Sequence, residues 1–283
     1  MIPNKKYSNQ SLEFWANIKL ISQKVGYTER GTSKIKTPTI QEIINAYDRL
    51  GLDVSRMVKS GKLTKFGKDT IGYFEYRADM LNNFVEPRLM KKDEAQKLFE
   101  ELQILHTPSC PIPMNKQKGD KKAPAYFTGM INILIEANLE GAGCDFDPKS
   151  LISFTDKKFP IRSLSRRVDG AFPSTINPIS IWEIKEYYYT TTFGSRVADG
   201  VYETLLDGYE LDEIRKFTKT DVRHYLMVDD YFTWWKMGRS YLCRICDMLH
   251  MGLLTEAIFG REIIERIPII VKEWTKILAD KGT

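Results

Sequence analysis

Residues 166–190 read RRVDGAFPSTINPISIWEIKEYYYT, from Arg166 to Thr190. Asp169 stands just before a Gly-Ala-Phe-Pro bend, and a strand-like run from Ile179 to Tyr189 then carries Glu183 and Lys185 with one residue between them. Side chains of a strand alternate between faces, so Ile181, Glu183, Lys185 and Tyr187 share one side while Trp182, Ile184 and Glu186 take the other. The loop TINP at 175–178 separates the run from RRVDGAF at 166–172, which predicts an antiparallel pair that brings Asp169 beside Glu183. Two carboxylates and an ammonium at one point suit phosphodiester hydrolysis with a hard divalent ion. The oxygens ligate the ion, and the lysine orients or deprotonates water, or neutralises phosphate charge.

The bland alternative makes Asp169-Gly170 a turn, which Asp-Gly favours, and makes Glu183 and Lys185 a solvated strand face. Against it, Ile181, Trp182, Ile184 and Tyr187 surround the two charges with apolar bulk, the pattern of an interior strand. Charge in such a strand is costly unless paired or metal-bound.

At these residues the sequence resembles the PD-(D/E)xK nuclease superfamily, with Asp169 as the lone aspartate and Glu183-Ile184-Lys185 as the ExK. Val168 stands where the motif name has proline. The resemblance spans 136–229 and implies a restriction-endonuclease-like α/β core with Mg²⁺ held by Asp169, Glu183 and the Ile184 carbonyl. It implies catalysis by Asp169, Glu183 and Lys185, double-stranded DNA as partner, and a homodimer if both strands are cut symmetrically. Relatives also carry a glutamate on a preceding helix, which makes Glu136 a further candidate. On the helix read from Tyr126 to Leu139, however, Glu136 lies nearly opposite the apolar stripe of Phe127, Met130, Ile131 and Leu134, which predicts a surface side chain.

Downstream, a helix over 195–214 followed by a strand over 223–230 predicts a parallel crossover. In that helix Val197, Val201, Leu205 and Leu206 form the apolar side, Asp207, Glu210, Asp212 and Glu213 read as an exposed acidic face, and Arg196 is a candidate phosphate contact. The tail from Trp234 to Ala279 reads as helical throughout, including TEAIFGREIIERI.

Upstream, helices are expected over 7–25, over 39–50 behind the T-x-x-E capping box of Thr39 and Glu42, and over 93–105. Residues 53–84 read as a short helix, a turn at Ser60-Gly61 and an aromatic-rich helix, in outline a helix-turn-helix with lysines 59, 62, 65 and 68 between its parts. The segment 107–124 is rich in proline and lysine and reads as a linker or long loop. The expected organisation is a basic helical region over 1–106 with a DNA-contacting role, the linker over 107–124, and a catalytic core with C-terminal helices over 125–283.

The net charge of +5 is unevenly spread: residues 1–70 hold 13 Lys and Arg against 6 Asp and Glu. A basic N-terminal part beside an acidic site suits a polyanionic substrate. No apolar run approaches the ~20 residues of a membrane helix, the first residues lack signal-peptide character, and four unpaired-looking cysteines fit a reducing compartment, so a cytoplasmic location is expected. Cys243 and Cys246 lie one helical turn apart without a second ligand pair and read as core. His224 and His250 read as structural. Phosphate loops, HExxH, GxSxG and dinucleotide fingerprints are missing, which narrows the enzyme classes. The expected activity is a Mg²⁺-dependent, sequence-specific endonuclease of type II restriction character. The alternatives are a non-catalytic DNA-binding or scaffold protein, or a structure-specific repair or recombination nuclease.

Overall fold

The computed structural model describes residues 1–29, 31–115, 123–189 and 194–282. The chain is mixed α/β. It begins with α1 (Leu12–Val25), α2 (Ile40–Leu50), the short strands β1 (Val58–Lys59) and β2 (Lys62–Leu63), and α3 (Lys65–Asp79), which runs into a π-helical turn at Met80–Val85. There follow α4 (Lys92–His106), α5 (Tyr126–Glu136), β3 (Ser153–Asp156), β4 (Phe159–Ser163), β5 (Gly170–Phe172) and β6 (Ser180–Glu186). Last come α6 (Ser195–Thr218), β7 (Arg223–Asp229), a second π-helical turn at Phe232–Met237, α7 (Arg239–His250), β8 (Glu256–Phe259) and α8 (Ile263–Gly282).

Local chemistry sets several of these boundaries. The Thr39 hydroxyl accepts from the Glu42 amide while Glu42 accepts from the Thr39 amide, and Gly51 closes α2 in the left-handed conformation at φ 64°. Residues 55–57 form a turn in place of the expected short helix. Ser60 and Gly61 both adopt positive φ, the requirement of a tight two-residue hairpin, so the punctuation read as a helix–helix turn instead pairs β1 with β2. In α1, Leu12 is exposed, while Phe14, Trp15, Ile18 and Ile21 are buried.

The central sheet has the order β5-β6-β7-β8. β5 runs antiparallel to β6, with Gly170 opposite Trp182 and Phe172 opposite Ser180. After α6 the chain returns as β7, parallel to β6 from Ser180–Arg223 through Glu186–Asp229, and β8 adds parallel to β7. The regular part of the first strand is shorter than 166–172. β3 and β4 form a separate antiparallel hairpin. Within TEAIFGREIIERI, residues 256–259 are a strand: AIF is too short an apolar run to carry a helical period, and pairing with Tyr225–Val228 decides its conformation. α8 then starts at Ile263 and continues through Pro268.

One face of the sheet packs Trp182, Ile184, Tyr225 and Met227 against α4, α5 and α8, with Trp182 stacked on Trp274 at 5.3 Å between centroids. Burying each such aromatic is worth roughly 1.5–3 kcal/mol. The other face packs Leu226, Val228 and Ala257 against α6, α7 and residues 78–89. Residues 116–122, the middle of the expected 107–124 linker, lie outside the described residues. Ala95, Phe99 and Leu102 of α4 nevertheless share a core with Phe127 and Met130 of α5.

α1, α2 and α3 have their own small core, and α3 is tied to α7 by a buried ion pair. Arg77 donates to Asp247 at 3.0 and 3.1 Å, and the Tyr73 hydroxyl donates to the same carboxylate at 2.7 Å. Cys243 and Cys246 are buried in α7, and all four cysteines are free thiols. Among the described residues, no helix is long and apolar enough to cross a membrane.

Candidate active site on the central sheet

β6 is an interior strand of the sheet, and every residue from Ser180 to Lys185 is buried. Its alternation sends Glu183 and Lys185 toward α6. Glu183 is wholly inaccessible, and Lys185 donates to it at 2.8 Å. The lysine reaches this position because Gly200 faces it from α6: a Cβ there would sit 3.1 Å from Lys185 Cδ and 3.1 Å from Tyr187 Oη.

Asp169 is held at the start of β5. Its amide donates to the Trp182 carbonyl at 3.1 Å, and its Oδ2 accepts from the Ile184 amide at 2.7 Å. Gly170 is a ladder residue opposite Trp182 and not part of a tight turn. A Cβ on it would lie 2.0 Å from the Trp182 indole, so close packing, and not turn geometry, demands glycine there. The strand pair thus brings Asp169 beside the Glu183-Ile184-Lys185 segment. Ile184 meets Asp169 through its N–H.

Three further charged groups complete the cluster. Arg166, half-buried, straddles two carboxylates: it donates to Glu183 at 2.8 and 3.1 Å and to Asp207 at 2.6 Å. Glu203 accepts from Lys185 at 3.2 Å and from Arg166 at 3.4 Å, and at 44% exposure its side chain opens the cluster to solvent. Asp207 is fully buried, and its Oδ1 has no partner. The acidic face read on α6 is therefore divided. Asp207 and Glu210 turn inward, where Glu210 accepts from Ser165 and Arg162, while Glu213 stays exposed. Leu206, read as core, is exposed. Gly200 and Gly208, both buried, were the available signal for the inward face of this helix, since small residues mark close approach.

The electrostatics follow from burial. Asp169 is pushed up to about 6, chiefly by burial and then by Glu183, with Lys185 opposing. Burial raises Asp207 to about 7 against the pull of Arg166. Burial acts the same way on Glu183, yet Lys185 and Arg166 together hold it below the usual carboxylate range. Lys185 is raised despite burial, because Glu183 and Asp169 face it.

Glu136 does not join this cluster. Its carboxylate accepts from the Ser109 amide at 2.9 Å and from the Ser109 hydroxyl, fastening the chain after α4 to the end of α5. Arg196 is exposed, and its carbonyl accepts from Tyr187. His224 and His250 are buried, with Nδ1 against the Leu253 and Cys246 carbonyls respectively.

The family described as "Domain of unknown function (DUF7687)" matches residues 90–274, which include the whole sheet and every group of this cluster. The chain belongs to the DUF7687 family. A second description, "Domain of unknown function (DUF7690)", matches residues 1–84, the part built on α1–α3. The DUF7687 match therefore begins ahead of α4, upstream of the expected linker at 107–124. No curated protein and no solved structure matches the chain.

As a cation site, the DUF7687 cluster offers only oxygen ligands, as hard divalent ions require. Among the described residues no group of three or more His, Cys, Asp or Glu side chains is gathered closely enough to hold a metal ion. Glu183 is engaged instead by Arg166 and Lys185. Four carboxylates, at Asp169, Glu183, Glu203 and Asp207, nevertheless surround two cations, and one buried carboxylate oxygen is left without a partner. This surplus of negative charge is what a divalent cation would balance.

Proposed function

We propose that the protein is a Mg²⁺-dependent endonuclease of PD-(D/E)xK type that hydrolyses phosphodiester bonds of double-stranded DNA, with the sequence specificity of a type II restriction enzyme. The observation that carries this reading is the meeting of Asp169 with Glu183 and Lys185 across two paired strands. The antiparallel β5–β6 pair followed by the α6 crossover to a parallel β7 supports a restriction-endonuclease-like core. Asp169, Glu183 and the Ile184 carbonyl would hold the ion. When bound, Mg²⁺ polarises a phosphoryl oxygen and lowers the pKa of water.

The chain's own groups do the rest. Lys185 orients the attacking water or holds the scissile phosphate. Arg166 has the planar fork that matches phosphate oxygens, and Glu203 and Asp207 keep both cations in place. The exposed lysines 59, 62, 65 and 68 on the β1–β2 hairpin and the first turns of α3 suit the DNA backbone, a contact that gives affinity without sequence information. Symmetric cutting would use a homodimer.

One observation favours a second reading, a DNA-binding or scaffold protein with a silent core: Glu183 is already neutralised by two cations. Purified protein incubated with Mg²⁺ and mixed-sequence duplex decides between them. Discrete fragments that vanish in Asp169→Ala and Lys185→Ala, with DNA binding retained, support the site-specific enzyme. Cutting confined to branched substrates indicates a repair or recombination nuclease. A gel shift without cutting supports the binder, and wild-type-like cutting by both variants removes the assigned site.

A further inference from the structure

A groove of about 580 Å³ lies just past the C-terminal ends of the parallel strands β6 and β7. Lys91, Lys92, Tyr188, Tyr231, Phe232 and Lys236 line it, together with Asp230. In open α/β sheets this end of the parallel strands is where ligands bind.

The charge of the groove is positive in effect. Asp230 spends its carboxylate on the backbone of the π-helical turn, accepting from the Phe232 amide at 3.2 Å and the Thr233 amide at 2.8 Å. The neighbouring Asp229 is buried and accepts from the Met90 and Asp230 amides and the Tyr188 hydroxyl. Two of the three lysines instead lie over aromatic rings: Lys92 Nζ is 4.7 Å from the Tyr189 centroid and Lys236 Nζ 5.6 Å from that of Tyr231. Phe232, 52% exposed, offers an apolar face to solvent in the same groove. Ammonium groups beside an open aromatic face match a ligand that is both anionic and aromatic.

The groove lies past the end of β6 that carries Lys185. Trp234, in the turn that walls it, donates its indole N–H to the Lys185 carbonyl at 3.4 Å. Tyr188 follows Lys185 by three residues, a reach of at most ~11 Å. A space of this volume takes a nucleotide or two and not a duplex, and a ring can stack on Phe232 only if the base has left its own stack.

Resting on the nuclease reading, we propose that this groove binds an unpaired stretch of the DNA strand next to the scissile phosphate, with a base on Phe232 and phosphates at Lys91, Lys92 and Lys236. A duplex bound for cleavage then has one strand splayed from its partner at the groove, and a duplex already unpaired there is bound more tightly.

The test is fluorescence anisotropy of the full chain in EDTA, so that no strand is cut. The probes are a labelled oligothymidylate, a blunt duplex and the same duplex with a single-stranded tail, with thymidine monophosphate as competitor. Wild type is expected to bind the single strand and the tailed duplex more tightly than the blunt duplex. Phe232→Ala with Lys236→Ala, and independently Lys92→Glu, should weaken single-strand binding at least about fivefold while leaving blunt-duplex affinity unchanged. Binding by wild type that neither variant weakens overturns the groove and leaves the nuclease reading standing. Absence of wild-type binding to every probe overturns both. Competition by the mononucleotide as effective as that by the oligomer, at equal nucleotide concentration, overturns the strand as ligand.

Discussion

Replacing Arg166 by methionine removes the group that joins Glu183 to Asp207, and the structure indicates how the cost varies with pH. Glu183 keeps Lys185 at 2.8 Å, so it loses one of two cationic partners. Asp207 is fully buried, already has one unpartnered oxygen, and loses its ion pair with Arg166. Breaking a buried pair from one side costs about 3–5 kcal/mol when the remaining charge cannot escape. Asp207 escapes by taking a proton. Its folded pKa, about 7, lies above the unfolded value of 3.8, so its stabilising contribution is complete below 3.8 and declines as pH rises toward 7. Without Arg166 the folded pKa rises further, and the decline continues above 7 at up to ~1.4 kcal/mol per pH unit. Urea denaturation should therefore show Arg166→Met less stable than wild type by about 3 kcal/mol at pH 8, with a clearly smaller gap at pH 6. In an Asp207→Asn background the pH-dependent part should shrink to the smaller share that passes through Asp169. The same gap at both pH values, or no gap at pH 8, would refute Arg166 as the counter-ion of Asp207.

Gly200→Ala places a methyl 3.1 Å from Lys185 Cδ, so DNA cleavage should fall roughly tenfold, about 1.4 kcal/mol, with little change in melting temperature; full activity would show that the lysine adjusts freely. Asp247→Ala leaves Arg77 buried without its carboxylate and should cost about 3–5 kcal/mol, read as a drop in the denaturation midpoint. His224 is held down to about 4 by burial, below its unfolded 6.5, so its contribution is complete above pH 6.5 and is lost as pH falls toward 4, an order of 3 kcal/mol. His224→Asn should flatten the stability curve in that window, and an unchanged slope would assign the acid sensitivity elsewhere.

The strand pair, the crossover and the paired faces of β6 were legible because a period of two and flanking turn residues are local signals. The α2 capping box was legible for the same reason. Other features depend on partners far along the chain. β8 is a strand because β7 lies beside it, and nothing within TEAIF says so. Asp207 and Glu210 read as solvated because acidic residues on a helix usually are; what turns them inward is Arg166 and Ser165, some forty residues upstream. Arg166 stood within the deciding stretch but had no motif to single it out. Gly170 reads as part of the first strand, against the alternative of an Asp-Gly turn, but nothing local says why glycine stands there; the Trp182 ring leaves no room for a side chain.

The bond between Arg77 and Asp247 sets an order on how this protein can be made. The guanidinium is synthesised 170 residues before its carboxylate. At about 5–20 residues per second, ten to thirty seconds of translation separate the two. Throughout that interval the α3 helix carries a cation that its own small core cannot neutralise. The α3 segment thus leaves the ribosome well before α7 but is finished only after it, and its completion reports that α7 is already in place.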